Sequence, residues 1–310
     1  MSIGALRKRL LKYNTPRRIV QLLSFMFFSA AIFNLTAMPL LFPVLWTWGL
    51  KSNVVGDALT SIQLMLSGWG GAVVFPWIAF ASFLIVGVLI GKSLCGWVCP
   101  FGFVQDLVGL IRRKQTDVTL RTHQTMIYGK YVILAITLFI SGTFSVSKLT
   151  GGESYSKALG IFANAPFTVL SPSETLFATL PRMIQGFSLS VQTAGFDFLS
   201  GFLGLSPLFW IQFAIMVGVL VLVAYIPRSW CRYFCPHGAF MAIMNHFSLI
   251  GLRREPFKCE KGGCGMCVQV CPTRVPILDL PWEKFSDPEC IYCMKCVDAC
   301  ENKAIKLTYP

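Results

Sequence analysis

No residue between Arg18 and Lys51 carries a charge, and the same holds from Ala58 to Gly91, from Tyr131 to Ser147 and from Phe198 to Pro227. Each run can supply the roughly 20 apolar residues that a helix needs to cross the hydrocarbon of a bilayer, the third by borrowing from its flanks. A mean hydropathy of +0.63, with 55% hydrophobic and 13% charged residues, is too apolar for an ordinary soluble domain. The expected fold is therefore mainly α and polytopic. About four transmembrane helices are expected, near 19–44, 72–92, 128–147 and 207–227, with Pro39 and Pro43 kinking or interrupting the first.

The net charge of +13 is not spread evenly. Residues 1–18 hold six bases and no acid, and Lys92–Lys130 holds six bases against two acids, while the connections 51–57 and 148–197 are each neutral. A positive excess on alternate loops predicts a multi-pass protein of the cytoplasmic (inner) membrane with both termini in the cytoplasm. Arg7, Lys8, Arg9, Lys12, Arg17 and Arg18 then meet anionic lipid headgroups rather than nucleic acid. The first apolar run is too long for a signal peptide and is expected to stay as an anchor.

All twelve cysteines fall into four tight groups. Cys259, Cys264, Cys267 and Cys271 read C-x4-C-x2-C-x3-C-P, and Cys290, Cys293, Cys296 and Cys300 read C-x2-C-x2-C-x3-C. Three thiolates on a tight loop reach three corners of a cubane, and in two-cluster ferredoxins the fourth cysteine ligates the other cluster. That pattern assigns one [4Fe–4S] cluster to Cys259, Cys264, Cys267 and Cys300 and a second to Cys290, Cys293, Cys296 and Cys271. The first motif has two extra residues between its first cysteines, and Glu301 stands where proline is usual. Zinc is the alternative, although zinc ribbons separate two C-x2-C pairs by a long spacer. A disulfide framework is disfavoured by basic flanks that point to the reducing side of the membrane.

The remaining cysteines sit in a repeated phrase. Gly91–Gly102 and Pro227–Gly238 both read basic-Ser-x-Cys-x-aromatic-x-Cys-Pro-x-Gly, each at the end of an apolar run. The repeat implies two equivalent halves. Cys95 and Cys99, like Cys231 and Cys235, fall on one face if the backbone is helical. Brought together, these four form a candidate third cluster site; a redox-active thiol pair or a plain helix stop are the alternatives.

Four spans, two CxxxCP phrases and a C-terminal pair of ferredoxin motifs resemble the NapH-type membrane ferredoxins, a family related to the membrane core of NosR and to MauN. The resemblance runs from the first span to Cys300. It implies an electron-transfer subunit of quinol dehydrogenase type, working between quinone or quinol and other iron–sulfur or cytochrome subunits of a redox complex. Neither the flavin-binding domain of NosR nor the immunoglobulin-like extension of CcoG is expected here. The rival reading is a maturation factor that reduces metal or thiols during assembly of another enzyme.

The expected layout is a basic N-terminus (1–18), a transmembrane domain (19–230) with an external loop (148–205), and a cytoplasmic segment (231–310) holding a small α+β ferredoxin-like domain (255–308). With His123, His237 and His246 as the only histidines and no C-x-x-C-H, haem is not expected. Quinol oxidation releases protons, and His237 and Asp106 are the candidate acceptors near the CxxxCP phrases. Trp97 and Tyr233 are candidates to wall a quinone headgroup, against their other reading as an interfacial aromatic belt. Ser171-Pro172 reads as a helix start within the external loop.

Overall fold

The computed structural model describes residues 13–32, 77–112, 118–149, 153–159, 171–180, 207–260 and 263–309. The expected spans near 19–44 and 72–92 are thus described only over 19–32 and 77–92, and most of the external loop 148–205 lies outside the described residues. The described chain is mostly helical: α1 (Asn14–Ile32), α2 (Trp77–Ile90), α3 (Ser93–Trp97), α4 (Pro100–Val108), α5 (Leu120–Leu149), α6 (Glu153–Leu159), α7 (Pro172–Glu174), α8 (Pro207–Tyr225) and α9 (Pro236–Asn245) precede a small C-terminal head. Among the described residues, one helix, Pro207–Tyr225, is long and apolar enough by itself to cross a membrane.

The fold divides into two units. One comprises Met1–Phe27, Ser82–Leu134 and Val223–Pro310, and the other Phe28–Ala81 and Ala135–Leu222. The second holds α6, α7 and most of α8; α7 begins at Pro172 directly after Ser171 and runs into a π turn, Thr175–Thr179. A proline at the first helical position costs no hydrogen bond, since that amide has no partner within the helix. All twelve cysteines lie in the first unit.

The head is built on a two-stranded antiparallel sheet, β1 (Gly251–Arg254) against β2 (Ile305–Thr308), in the register Leu252↔Leu307 and Arg254↔Ile305. It closes around Ile250, Leu252, Val275, Ile277, Phe285, Tyr292, Met294 and Ile305, with Cys296 in the same core. Two short helices, α10 (Met266–Gln269) and α11 (Lys295–Ala299), carry the middle of each cysteine motif. Each starts from a left-handed residue directly after a cysteine: Gly265 (φ 55°) after Cys264 and Met294 (φ 58°) after Cys293. A left-handed residue also follows three positions after each last cysteine, Arg274 (φ 54°) and Lys303 (φ 49°). Turns of this kind are strained for residues other than glycine, so their recurrence at matching positions shows both loops bent to one shape.

Candidate functional site

The CxxxCP phrases fold alike. Cys99 and Cys235 each sit in extended backbone just before proline, where the pyrrolidine ring disfavours helical geometry. Each then acts as the cap of the following helix, its sulfur accepting the amide of Gly102 at 3.4 Å or of Gly238 at 3.3 Å, as a serine hydroxyl would. A Cβ added at either glycine would lie 3.0 Å from the carbonyl of Cys95 or Cys231, so both turns are equally tight. The phrase is therefore not one continuous helix, because proline ends the first turn and starts the next. The two differ in that Ser93–Trp97 is α and Trp230–Phe234 is a π turn.

The halves interlock through polar groups. Gln105 of α4 donates to Cys231 Sγ at 3.0 Å. Arg228 donates to the Cys95 carbonyl at 2.9 Å and forks onto Asp106 with two 2.8 Å bonds. Cys95, Cys99 and Cys231 are buried, and the four sulfurs are near enough to raise one another's pKa. Burial first, then Cys231, push the Cys95 thiol up to about 11 against the pull of Lys92 and Arg228. As free thiols these groups stay protonated and unreactive at neutral pH, since the thiolate is the nucleophile and the metal ligand.

Around them and around Cys271 and Cys293 of the head, buried cations outnumber carboxylates. Arg17, Lys92, Lys130, Arg228 and Arg232 are all essentially inaccessible. Lys92 and Lys130 share Glu289, and Arg17 and Arg228 share Asp106. Arg232 faces a carbonyl and His123 Nδ1, the latter at 2.8 Å. Burial opposes ionisation of Asp106 and Glu289, but their paired cations outweigh it and hold both below the usual carboxylate range. Buried charge without compensation is costly. A pocket of four thiols inside a positive shell therefore suits a net anionic group, which a four-thiolate [4Fe–4S] centre is.

In the head, a cavity of about 120 Å³ is lined by Cys259, Cys264, Cys267 and Cys300, three cysteines of the first motif and the last of the second. Cys271 packs with Cys290 on the core that holds Cys296, as Cys267 also does, and Cys290, Cys293 and Cys296 are the thiols whose charge Cys271 feels or perturbs. Backbone amides meet the two crossing sulfurs in the same way, Val275 N–H on Cys271 at 3.4 Å and Ala304 N–H on Cys300 at 3.2 Å. Amides aimed at thiolate sulfurs are a recurring feature of iron–sulfur sites and tune their potential. Among the described residues no three of His, Cys, Asp and Glu converge as a single ion requires. Tetrahedral zinc would hold its sulfurs about 3.8 Å apart, closer than the larger cubane does.

The other expected residues have partners of their own. Asp106 is committed to two guanidinium groups, and a carboxylate held so low takes up no proton at neutral pH. Its role here is to fix Arg228 on Cys95. Trp97 donates its indole N–H to the Tyr292 carbonyl at 2.8 Å, so it pegs the head. Tyr233 is buried with its hydroxyl 2.9 Å from His123 Nδ1. His237 is buried in the first turn of α9. Sequence reasoning passed over His123, whose imidazole is lowered to about 4 by burial and by Arg232 and so stays neutral. It also missed Lys92, Lys130 and Glu289, for which the one available signal was a lysine closing a long uncharged run.

Comparison with known proteins follows the same division. A 4Fe-4S binding domain model matches twice, at residues 69–116 and 207–255, one match per CxxxCP half, and a 4Fe-4S dicluster domain model matches 250–310. YccM of Escherichia coli, a putative electron transport protein, is 26% identical over 83% of this chain and 59% of its own length. The ferredoxin-type protein NapH of Haemophilus influenzae is 24% identical over 88% of this chain and 77% of its own. An uncharacterised protein of Methanocaldococcus jannaschii is 25% identical over 73% of this chain and 76% of its own. No solved structure matches the chain.

Proposed function

We propose that this chain, a relative of the NapH-type ferredoxin proteins, is a multi-pass membrane electron carrier that passes single electrons between the quinone pool and iron–sulfur or cytochrome partners. Two [4Fe–4S] clusters would be held by Cys259, Cys264, Cys267 and Cys300 and by Cys290, Cys293, Cys296 and Cys271. A third would be held by Cys95, Cys99, Cys231 and Cys235, and such groups supply reversible one-electron chemistry when bound.

One observation carries this reading: two sequence-distant CxxxCP turns bring their four cysteines together, three of them buried, beside the buried cations Lys92, Lys130 and Arg228. The chain's own part is to keep water out, aim amides at sulfur and supply fixed positive charge. Those are the levers by which a protein sets a cluster's potential.

Anaerobically purified full-length protein should contain about twelve irons, three cubanes of four. Replacing Cys95 or Cys231 by Ser should remove the same increment, because each half supplies ligands to one centre. An iron content that stays near eight in the wild type and both variants would reject the third centre.

A further inference from the structure

The second head motif does not hang free of the CxxxCP site. Cys293 and Cys95 lie in one buried patch with Ile291 between them. Its loop is tied down from several directions. Trp97 N–H bonds the Tyr292 carbonyl at 2.8 Å, Arg17 reaches the Cys293 carbonyl at 3.5 Å, and Lys92 and Lys130 grip Glu289. Asn245 joins both sides: its side chain accepts the Lys92 amide at 2.9 Å and donates to the carbonyls of Asp287 and Cys290. A Cβ at Gly96 would overlap the Ile291 carbonyl oxygen, so the two backbones touch.

The first head motif faces the other way. Cys264 is exposed and Cys259 half-buried, and their cavity is lined by Lys258, Glu260, Glu301 and Asn302 rather than by any residue of the CxxxCP halves.

From this arrangement we infer a fixed order of three redox sites. The Cys271/Cys290/Cys293/Cys296 set is the middle one, loop 290–293 is its bridge to Cys95, and the Cys259/Cys264/Cys267/Cys300 set is the outer terminal where a soluble protein partner exchanges electrons. The inference rests on the reading of Cys95, Cys99, Cys231 and Cys235 as a third cluster. Each transfer moves one electron, so that the donor site is oxidised by one as the acceptor is reduced by one, and no bond is made or broken. The protein partner serves the outer end and the quinone pool the inner end, and the order is the same in either direction. Arg17, Lys92 and Trp97 act as positioning residues, since they hold the bridge and not the reacting atoms.

The test is electron paramagnetic resonance of the reduced, anaerobically purified full-length protein. Magnetic coupling is expected between the third centre and the middle set. In Cys264→Ser, which strips the outer set, that coupling should persist, while reduction by a soluble protein reductant, reduced flavodoxin, slows at least tenfold. In Trp97→Phe and Lys92→Gln the coupling should weaken while the iron content and the coupling between the two head centres stay as in the wild type. Coupling of the third centre to the outer set, or unslowed flavodoxin reduction in Cys264→Ser, would overturn the order alone. An iron content near eight in the wild type would instead overturn the third centre, and the order with it.

Discussion

Trp97 and Tyr292, one from the first CxxxCP phrase and one from the second head motif, are joined by a 2.8 Å hydrogen bond from indole N–H to backbone carbonyl. The neighbouring pair is closer still, since Gly96 leaves no room for a side chain beside Ile291. Gly96→Ala should therefore cost about 1–3 kcal/mol, as overpacking of a filled site does, and Trp97→Phe about 1 kcal/mol for a single hydrogen bond. Thermal melting of the anaerobic protein measures both. A Gly96→Ala variant that melts with the wild type would show that the loop does not lie against the phrase.

Cys300 lines one cavity with Cys259, Cys264 and Cys267, as crossed ligation in the head requires. Cys300→Ala should damage the centre of Cys259, Cys264 and Cys267 more than that of Cys290, Cys293 and Cys296, and Cys271→Ala should do the reverse. Site-resolved Mössbauer or paramagnetic spectra with the opposite pattern refute the crossing.

Asp106 neutralises part of the charge of Arg17 and Arg228. Asp106→Asn leaves two buried guanidinium groups facing each other, a loss of about 3–5 kcal/mol in stability. Removing a negative charge near Cys231 also favours the reduced state there, so the potential of the third centre should rise. A redox titration with an unchanged or lowered midpoint contradicts the shell's role.

His123 is neutral in the folded protein, its pKa lowered from 6.5 to about 4 by burial and by Arg232. The unfolded chain binds the extra proton first, so this contribution to stability is complete above about pH 6.5 and is lost as pH falls toward 4. Melting temperature should drop on acidification from pH 7.5 to 5.5, with a slope of at most about 1 kcal/mol per pH unit from this group. His123→Gln should flatten that slope; an unaltered slope assigns the acid sensitivity elsewhere.

The charge asymmetry between loops predicts sidedness. A reporter fused after Pro310 should be cytoplasmic and one inserted between residues 155 and 170 should be external. An exported C-terminus contradicts the relay to cytoplasmic partners.

The cysteine spacing made the iron–sulfur head legible, because three thiolates on one tight loop leave few geometries open. The repeat was legible too, since the two CxxxCP phrases differ little in residue type. What was hidden is what joins them. Asp106 read as a candidate proton acceptor, yet it meets Arg17 and Arg228 from distant parts of the chain. Trp97 read as a quinone wall or an interfacial aromatic, but its N–H finds a carbonyl in the head. Pairings between distant segments leave no periodic trace, and Glu289 gave no hint of two buried lysines.

The loop that covers Cys95, residues 289–293, is made after the four CxxxCP cysteines, which are complete once Cys235 is made. Cys99 and Cys235 cap their helices with their own sulfurs, so the two turns that carry them are set by local hydrogen bonds within each phrase. Contacts of residues 289–293 on the first phrase form only after both halves are made, so they depend on long-range packing that the local turns do not.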